Sequence, residues 1–223
     1  MTKDNKKGVR MKFIKKKTFY PFPVYEFNLP AGHSCPYAKD CKIMVDRKTG
    51  KFNTIGTKFR CYAASAERFP AVRESRWNNF EAMARGEDII LPKDATHIRI
   101  HSSGDFFSQK YFDKWLEVCR ENPKVKFWAF TKSIKFWVNR LGQIPKNLTL
   151  QASKGSKQDN LIDKYNLKYA EVFTDIKKAK ESGLPIDVDD TYAMSGKQSF
   201  ALLDNNKYSK KKREGESKRK ELE

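Results

Sequence analysis

Short runs of β-branched and aromatic residues alternate along this chain with longer stretches in which apolar residues recur every three or four positions. VYEFNL (24–29) reads as a strand, and from residue 96 the alternation becomes regular. THIRIH (96–101), KVKFWAF (124–130), NLTLQAS (147–153) and KYAEVFT (168–174) are predicted strands, with SFALL (199–203) as a last one. Between them SQKYFDKWLEVCREN (108–122), SIKFWVNRLG (133–142), KQDNLIDKYN (157–166) and DIKKAKESG (175–183) are predicted helices. Strand starts at 96, 124, 147 and 168 have the spacing of βα units, not of hairpins. Parallel pairing through right-handed crossovers follows. About six strands are too few for a full eight-stranded barrel. The expected fold class is α/β, either a partial (βα) barrel or an open parallel sheet of about six strands.

Ahead of the repeats, the first strand runs into a segment with little periodicity, PAGHSCPYAKDCKIMVDRKTGKFNTIGTKFRC (30–61). A loop of that length in a compact domain is usually functional. YAASAERFPAVRESRWNNFEAMARG (62–86) is then helical, with Pro70 opening a second helix at its first turn. Phe69, Val72, Trp77, Phe80 and Met83 supply its apolar residues and Gly86 its stop. The expected organisation is a basic arm (1–17), a single α/β domain (18–205) and a basic tail (206–223).

In parallel α/β folds, function collects at the carboxyl ends of the strands. The segments there are HSSGDFF (101–107), TKS (131–133), QASKGSKQ (151–158) and Asp175, polar, glycine-bearing and partly basic. His101 is either a rim residue or a ligand or proton carrier. Asp105, after Gly104, is either a turn residue or a cofactor-binding carboxylate. Lys154–Lys157 reads as a phosphate cradle at a helix start or as a solvated loop, and is not a Walker loop. Phe106 and Phe107 are an adjacent pair of which one is expected to face outward as a stacking platform. Asp187, Asp189 and Asp190 form an acidic patch, open to a divalent metal as in a nuclease or to a helix-capping role.

Four cysteines stand at 35, 41, 61 and 119. Cys119 shares a helical face with Phe112, Trp115 and Leu116 and reads as a small core hydrophobe. Cys35, Cys41 and Cys61 cluster in the long loop, and in a chain with no secretory signal such clusters bind metal or do chemistry. Their spacing, five and then nineteen intervening residues, does not fit a zinc finger. Three readings stand: a 4Fe-4S cluster with one iron open, a zinc site completed by His33, or three thiols without metal.

Charge changes the picture further. The net charge is +19 and the pI about 9.7, which calls for a polyanion, a counter-surface or a large assembly. Residues 1–17 carry eight basic residues against one acid, and residues 206–223 eight against four. With little to bury, the tail reads as disordered or as a solvated helix. Lys15, Lys16, Lys17, Lys154, Lys157, Lys210, Lys211, Lys212 and Arg213 are the candidate nucleic-acid contacts, with a host protein complex as the other partner class. Hydrophobic residues at 39% exclude a wholly disordered chain. No apolar run is long enough to span a membrane, and the N-terminus lacks an apolar signal core, so the cytoplasm is expected.

A strand, a three-cysteine loop and repeated βα units together resemble the radical S-adenosylmethionine (SAM) architecture. That resemblance implies a 4Fe-4S cluster on Cys35, Cys41 and Cys61. It also implies SAM held by Ser103, Gly104 and Asp105, with Gln151 and Ser153 as further contacts. The cysteine spacing here is wider than that superfamily's usual loop. LPAGHSCPYAKDC, RCYAASAERFPAVRESRWNNFEAM, RIHSSGDFFSQKYFDKWL, KFWAFTKS and PIDVDDTYAMSGKQSFALL more closely resemble a family of phage-encoded proteins without an assigned activity. This implies a phage origin and the cytoplasm of an infected host. The expected function is a SAM-dependent cluster enzyme acting on nucleic acid or a nucleic-acid-bound substrate. The alternative is a non-catalytic, metal-stabilised module (iron–sulfur or zinc) that binds nucleic acid or a host complex.

Overall fold

The structure, a computed structural model, describes residues 11–16, 20, 22–53 and 57–208. In chain order its elements are β1 (Phe13–Lys16), β2 (Val24–Phe27), β3 (Met44–Val45), β4 (Phe52–Asn53), a 3-10 helix (Tyr62–Arg68), α1 (Pro70–Arg85), β5 (His97–Ile100), α2 (Gln109–Glu121), β6 (Lys126–Thr131), α3 (Ile134–Val138), β7 (Leu148–Ser153), α4 (Asn160–Lys164), β8 (Tyr169–Phe173), α5 (Ile176–Glu181), α6 (Thr191–Ser195) and β9 (Phe200–Leu203). Seven strands make one sheet in the order β1-β2-β5-β6-β7-β8-β9, and β3 and β4 make a separate hairpin inside the long loop. From β2 to β9 every pairing is parallel, and β1 joins β2 antiparallel.

The six parallel strands are those the spacing predicts. The seventh, β1, is a correction to the reading of residues 1–17 as an arm. FIKK is half lysine, yet Phe13 packs on Phe27 with ring centroids 5.0 Å apart, and that contact sets the strand against the sheet. The strand order gives a mixed α/β, mostly parallel sheet with no closed barrel.

Sequential order has a packing consequence. Each right-handed crossover steps the same way, so α1 to α4 fall on one face of the sheet. There Phe27, Ile98, Ile100, Phe127, Ala129, Leu148 and Leu150 alternate inward along their strands and meet Phe112, Trp115 and Leu116 of α2 and Ile134 of α3. Cys119 is buried in this core, as its helical face predicts. The opposite face carries Trp128 and Phe200 against Tyr20 and Ala193 of α6, and beyond them it opens into a pocket.

The segment before α1 departs from expectation. Residues 62–68 are 3-10, and Pro70 opens α1 at its first turn. Phe69 is 53% exposed, whereas Arg73, Arg76 and Asn79 are buried. The reason lies opposite the helix: the long loop presents carbonyls that need donors. Arg73 donates to the carbonyls of Arg47, Lys48, Glu67 and Arg68. No helix among the described residues is long and apolar enough to cross a membrane.

Candidate functional site

At the carboxyl ends of the parallel strands lies a cavity of about 340 Å3, roofed by the long loop. Cys35, Cys41 and Cys61 all line it, beside Ser102–Asp105, Lys132 and Ser153. The loop is held there by its neighbours. Gly104 has φ +87°, and a Cβ on it would stand 2.6 Å from both Leu29 Cβ and Ser34 Oγ. Gly155 has φ +86° and accepts the amides of Lys39 and Asp40 on its carbonyl at 3.0 and 3.1 Å. These two glycines let the strand-end loops touch the cysteine loop directly.

The thiols interact with one another. Cys41 and Cys61 are hydrogen-bonded, which pushes Cys41 up and pulls Cys61 down. The amides of Ala64 and Ala63 and the Arg76 guanidinium further favour the Cys61 thiolate. Burial pushes Cys35 up, with the charges of Asp105 and Cys61 acting in the same direction. Among the described residues, no group of three or more His, Cys, Asp or Glu side chains is gathered tightly enough to hold a metal ion as placed. His33, the candidate fourth zinc ligand, places Nε2 2.9 Å from the Val45 carbonyl and packs against Trp77.

Asp105 is buried and pinned. Oδ1 accepts from Thr131 Oγ1 at 2.6 Å and from the Phe106 amide at 2.7 Å, and Oδ2 accepts from the Lys132 amide at 2.8 Å. Burial nevertheless raises its carboxyl to about 6. A carboxylate has about four acceptor positions, so one remains for a ligand. Ser103 joins the loop to β2, its amide bonded to Asn28 Oδ1 and its hydroxyl to the Leu29 carbonyl. Ser153 Oγ accepts from Lys132 Nζ at 2.7 Å. Gln151 is fully buried on β7, and neither end of its amide has a partner.

Other candidates land differently. The phosphate-cradle reading is corrected: the amides of Gly155 and Ser156 are both taken by Asp159, at 2.9 Å each. The stacking-platform reading is corrected too. Phe106 is fully buried, and Phe107 stacks on Tyr111 at 4.6 Å. Asp187 and Asp189 accept amides at the start of α6, as the capping reading has it. Among the nucleic-acid candidates, Lys15 pairs with Asp94, Lys16 with Glu26 and Lys154 with Glu171, while Lys157 is exposed. Lys17, Lys210, Lys211, Lys212 and Arg213 lie outside the described residues.

Deeper on the inner face is a network that the sequence did not signal. Arg99 of β5 pairs with Asp190 at 2.9 Å, donates to Tyr20 and Tyr62, and lies over the Phe130 ring at 5.1 Å. Asp190 also accepts from Tyr20 and from Trp128 Nε1. Period-two alternation places Arg99 on the sheet face opposite Ile98 and Ile100.

The fold and site define an open, mostly parallel α/β protein with a thiol-lined pocket at its strand ends. The chain belongs to the Gene product 88 family, a family of phage gene products whose model matches residues 1–220. The Gene 88 protein of Mycobacterium phage L5 is 56% identical over 34 residues, which cover 15% of this chain and 14% of that protein's length. No solved structure matches.

Proposed function

We propose that Cys35, Cys41 and Cys61 hold a 4Fe-4S cluster whose fourth iron faces the pocket, and that the protein is a radical-SAM-like enzyme acting on nucleic acid. One observation carries this reading: three thiols from one loop line a single pocket at the strand ends and interact with one another. A single zinc ion needs its ligands around one point, whereas a cubane bonds each thiolate to a different iron and spreads them apart. Among the described residues only three cysteines line the pocket, and a cluster with one open iron needs three thiolates, whereas a zinc site needs a fourth ligand. Bound there, a cluster with an open iron supplies one electron to a ligand such as SAM.

This chain's residues would do the rest. Gly104 and the remaining acceptor of Asp105 would receive an amino group, with the polar atoms of Lys132 and Ser153 lining the same pocket. The roof formed by the cysteine loop would keep water out. The net charge of +19 supports a polyanionic substrate.

The test is anaerobic reconstitution with iron and sulfide, followed by metal analysis, absorption spectra and SAM calorimetry. The intact chain and Cys119→Ser are expected to load about four irons, whereas Cys35→Ser, Cys41→Ser and Cys61→Ser are each expected to load none stably. Full iron retention by Cys61→Ser would refute the ligand set. A loaded protein that fails to bind SAM at millimolar concentration would leave the non-catalytic alternative in its place.

A further inference from the structure

The pocket's roof is basic, whereas its interior balances acids with cations. On the cysteine loop, Lys39, Lys58 and Arg60 are exposed, with Lys58 3.2 Å from Asp40, and the segment from 30 to 61 holds seven basic residues against two acids. Lys58 and Lys39 lie side by side, because the amides of Lys58 and Phe59 both bond the Asp40 carbonyl. Inside the pocket, Glu26, Asp187 and Asp190 are each at most 7% exposed. The cations of that interior are already engaged, Arg99 with Asp190, Lys16 with Glu26 and Lys132 with Ser153 and the Lys154 carbonyl, so a phosphate gains less there than on the roof.

Between the two regions stands Tyr62. It is 40% exposed, yet its hydroxyl is fixed, donating to the Ser102 carbonyl at 3.1 Å and accepting from Arg99 at 3.3 Å. Its ring is therefore presented at the mouth with little freedom left to lose. Below it the walls are Phe130, Val172 and Leu202, interrupted by the Arg99–Asp190 pair. An apolar slot with a few fixed donors and acceptors suits a flat, neutral heterocycle with a hydrogen-bonding edge.

We infer that this pocket takes one unpaired base of a single-stranded nucleic acid, with the base passing Tyr62 into the slot while its flanking phosphates stay on Lys39, Lys58 and Arg60. A duplex cannot offer a base in this way without first unstacking it. The inference rests on the nucleic-acid part of the proposed function and on none of the metal chemistry.

The experiment is fluorescence anisotropy with labelled single-stranded DNA and RNA and with a duplex of equal length, on the full chain with and without reconstitution. Single strands are expected to bind about tenfold or more tighter than duplex at matched salt. Tyr62→Leu should weaken single-strand binding about five- to a hundredfold, and Tyr62→Phe, which keeps the ring but loses its two hydroxyl bonds, should weaken it by less than Tyr62→Leu. Lys58→Gln combined with Arg60→Gln should flatten the salt dependence by roughly one unit of slope. Duplex binding equal to single-strand binding, or a Tyr62→Leu protein that binds like wild type, would overturn the inference. A chain that loads no cluster but binds single strands through Tyr62 refutes the metal reading and leaves this site standing. A loaded chain that binds no oligonucleotide at low salt does the reverse.

Discussion

His101 concentrates the residue-scale physics of the site. It ends β5 in the left-handed region at φ 65°, which histidine and asparagine tolerate better than most residues. Its ring is buried against Phe106 and Tyr111, with Nε2 2.8 Å from the Tyr111 hydroxyl and Nδ1 without a partner. Burial lowers its pKa from 6.5 to about 3, so the folded chain holds it neutral. The unfolded chain takes up a proton near pH 6.5 and the folded one does not, so this residue's contribution to stability is present above pH 6.5 and is lost as pH falls toward 3. Asp105 and Asp187, raised to about 6 and about 7, act in the opposite direction, since acid relieves their buried charge. They are common to wild type and a His101→Asn variant and largely cancel between the two. Asparagine keeps the backbone and removes the titration. Urea titrations from pH 7 to 4 should therefore show the wild type losing about 3 kcal/mol more than His101→Asn. Parallel curves would mean that the ring is hydrated and titrates normally. HSSGD was legible as a strand-end segment because glycine and short polar residues signal a turn. That Asp105 also accepts from Thr131 and Lys132 was not, since those partners come from a neighbouring strand end.

At the scale of elements, α1 works mainly as a clamp on the cysteine loop. Arg76 reaches Glu67 Oε1 at 2.6 Å and the Ala63 carbonyl at 2.8 Å, and the same Glu67 oxygen accepts the Ala31 amide. One buried ion pair therefore ties both ends of the loop, at residues 31 and 63, to the helix. Removing one partner of a buried pair leaves the other charge unpaired, at a cost of about 3–5 kcal/mol, while neutralising both costs far less. Arg76→Met should thus destabilise the fold by about that much and should speed proteolysis between residues 30 and 61. Adding Glu67→Gln, which keeps an acceptor for Ala31, should recover part of the loss. A single variant as stable as wild type would show that the pair is not what holds the loop. Strand–helix alternation was readable because apolar periodicity reports burial against apolar partners. It missed β1, whose lysines surround a single aromatic contact, and it did not mark Arg73 and Arg76 of α1 as buried, because their partners are backbone carbonyls and Glu67.

At the scale of the whole molecule, topology decides where the charge acts. Because β1 runs antiparallel to β2, Phe13 lies beside Phe27, and residues 11 and 12 stand at the carboxyl ends of the parallel strands. There the Lys12 amide donates to Asn79 Oδ1, and Asn79 Nδ2 donates to the Asn28 carbonyl at the end of β2. At the opposite edge β9 ends at Leu203, and Asn206 exchanges hydrogen bonds with Arg60 at the pocket mouth. The described fold thus begins and ends on the rim that holds the pocket, at its two sides. Residues 1–10 add four basic residues against one acid, and residues 209–223 add seven against four. Net charge was plain from composition, but that the described fold begins and ends on one rim needed the antiparallel β1. If a single strand lies across that mouth, deleting residues 209–223 removes cations that start four residues beyond Arg60's partner. Each lost phosphate contact lowers the slope of log affinity against log salt by about 0.7 for single strands. The truncated chain should therefore show a slope shallower by about one to two, with its preference for single strands and its sensitivity to Tyr62→Leu intact. An unchanged slope would place the tail away from the strand, and a lost Tyr62 dependence would make the tail, not the pocket mouth, the principal contact.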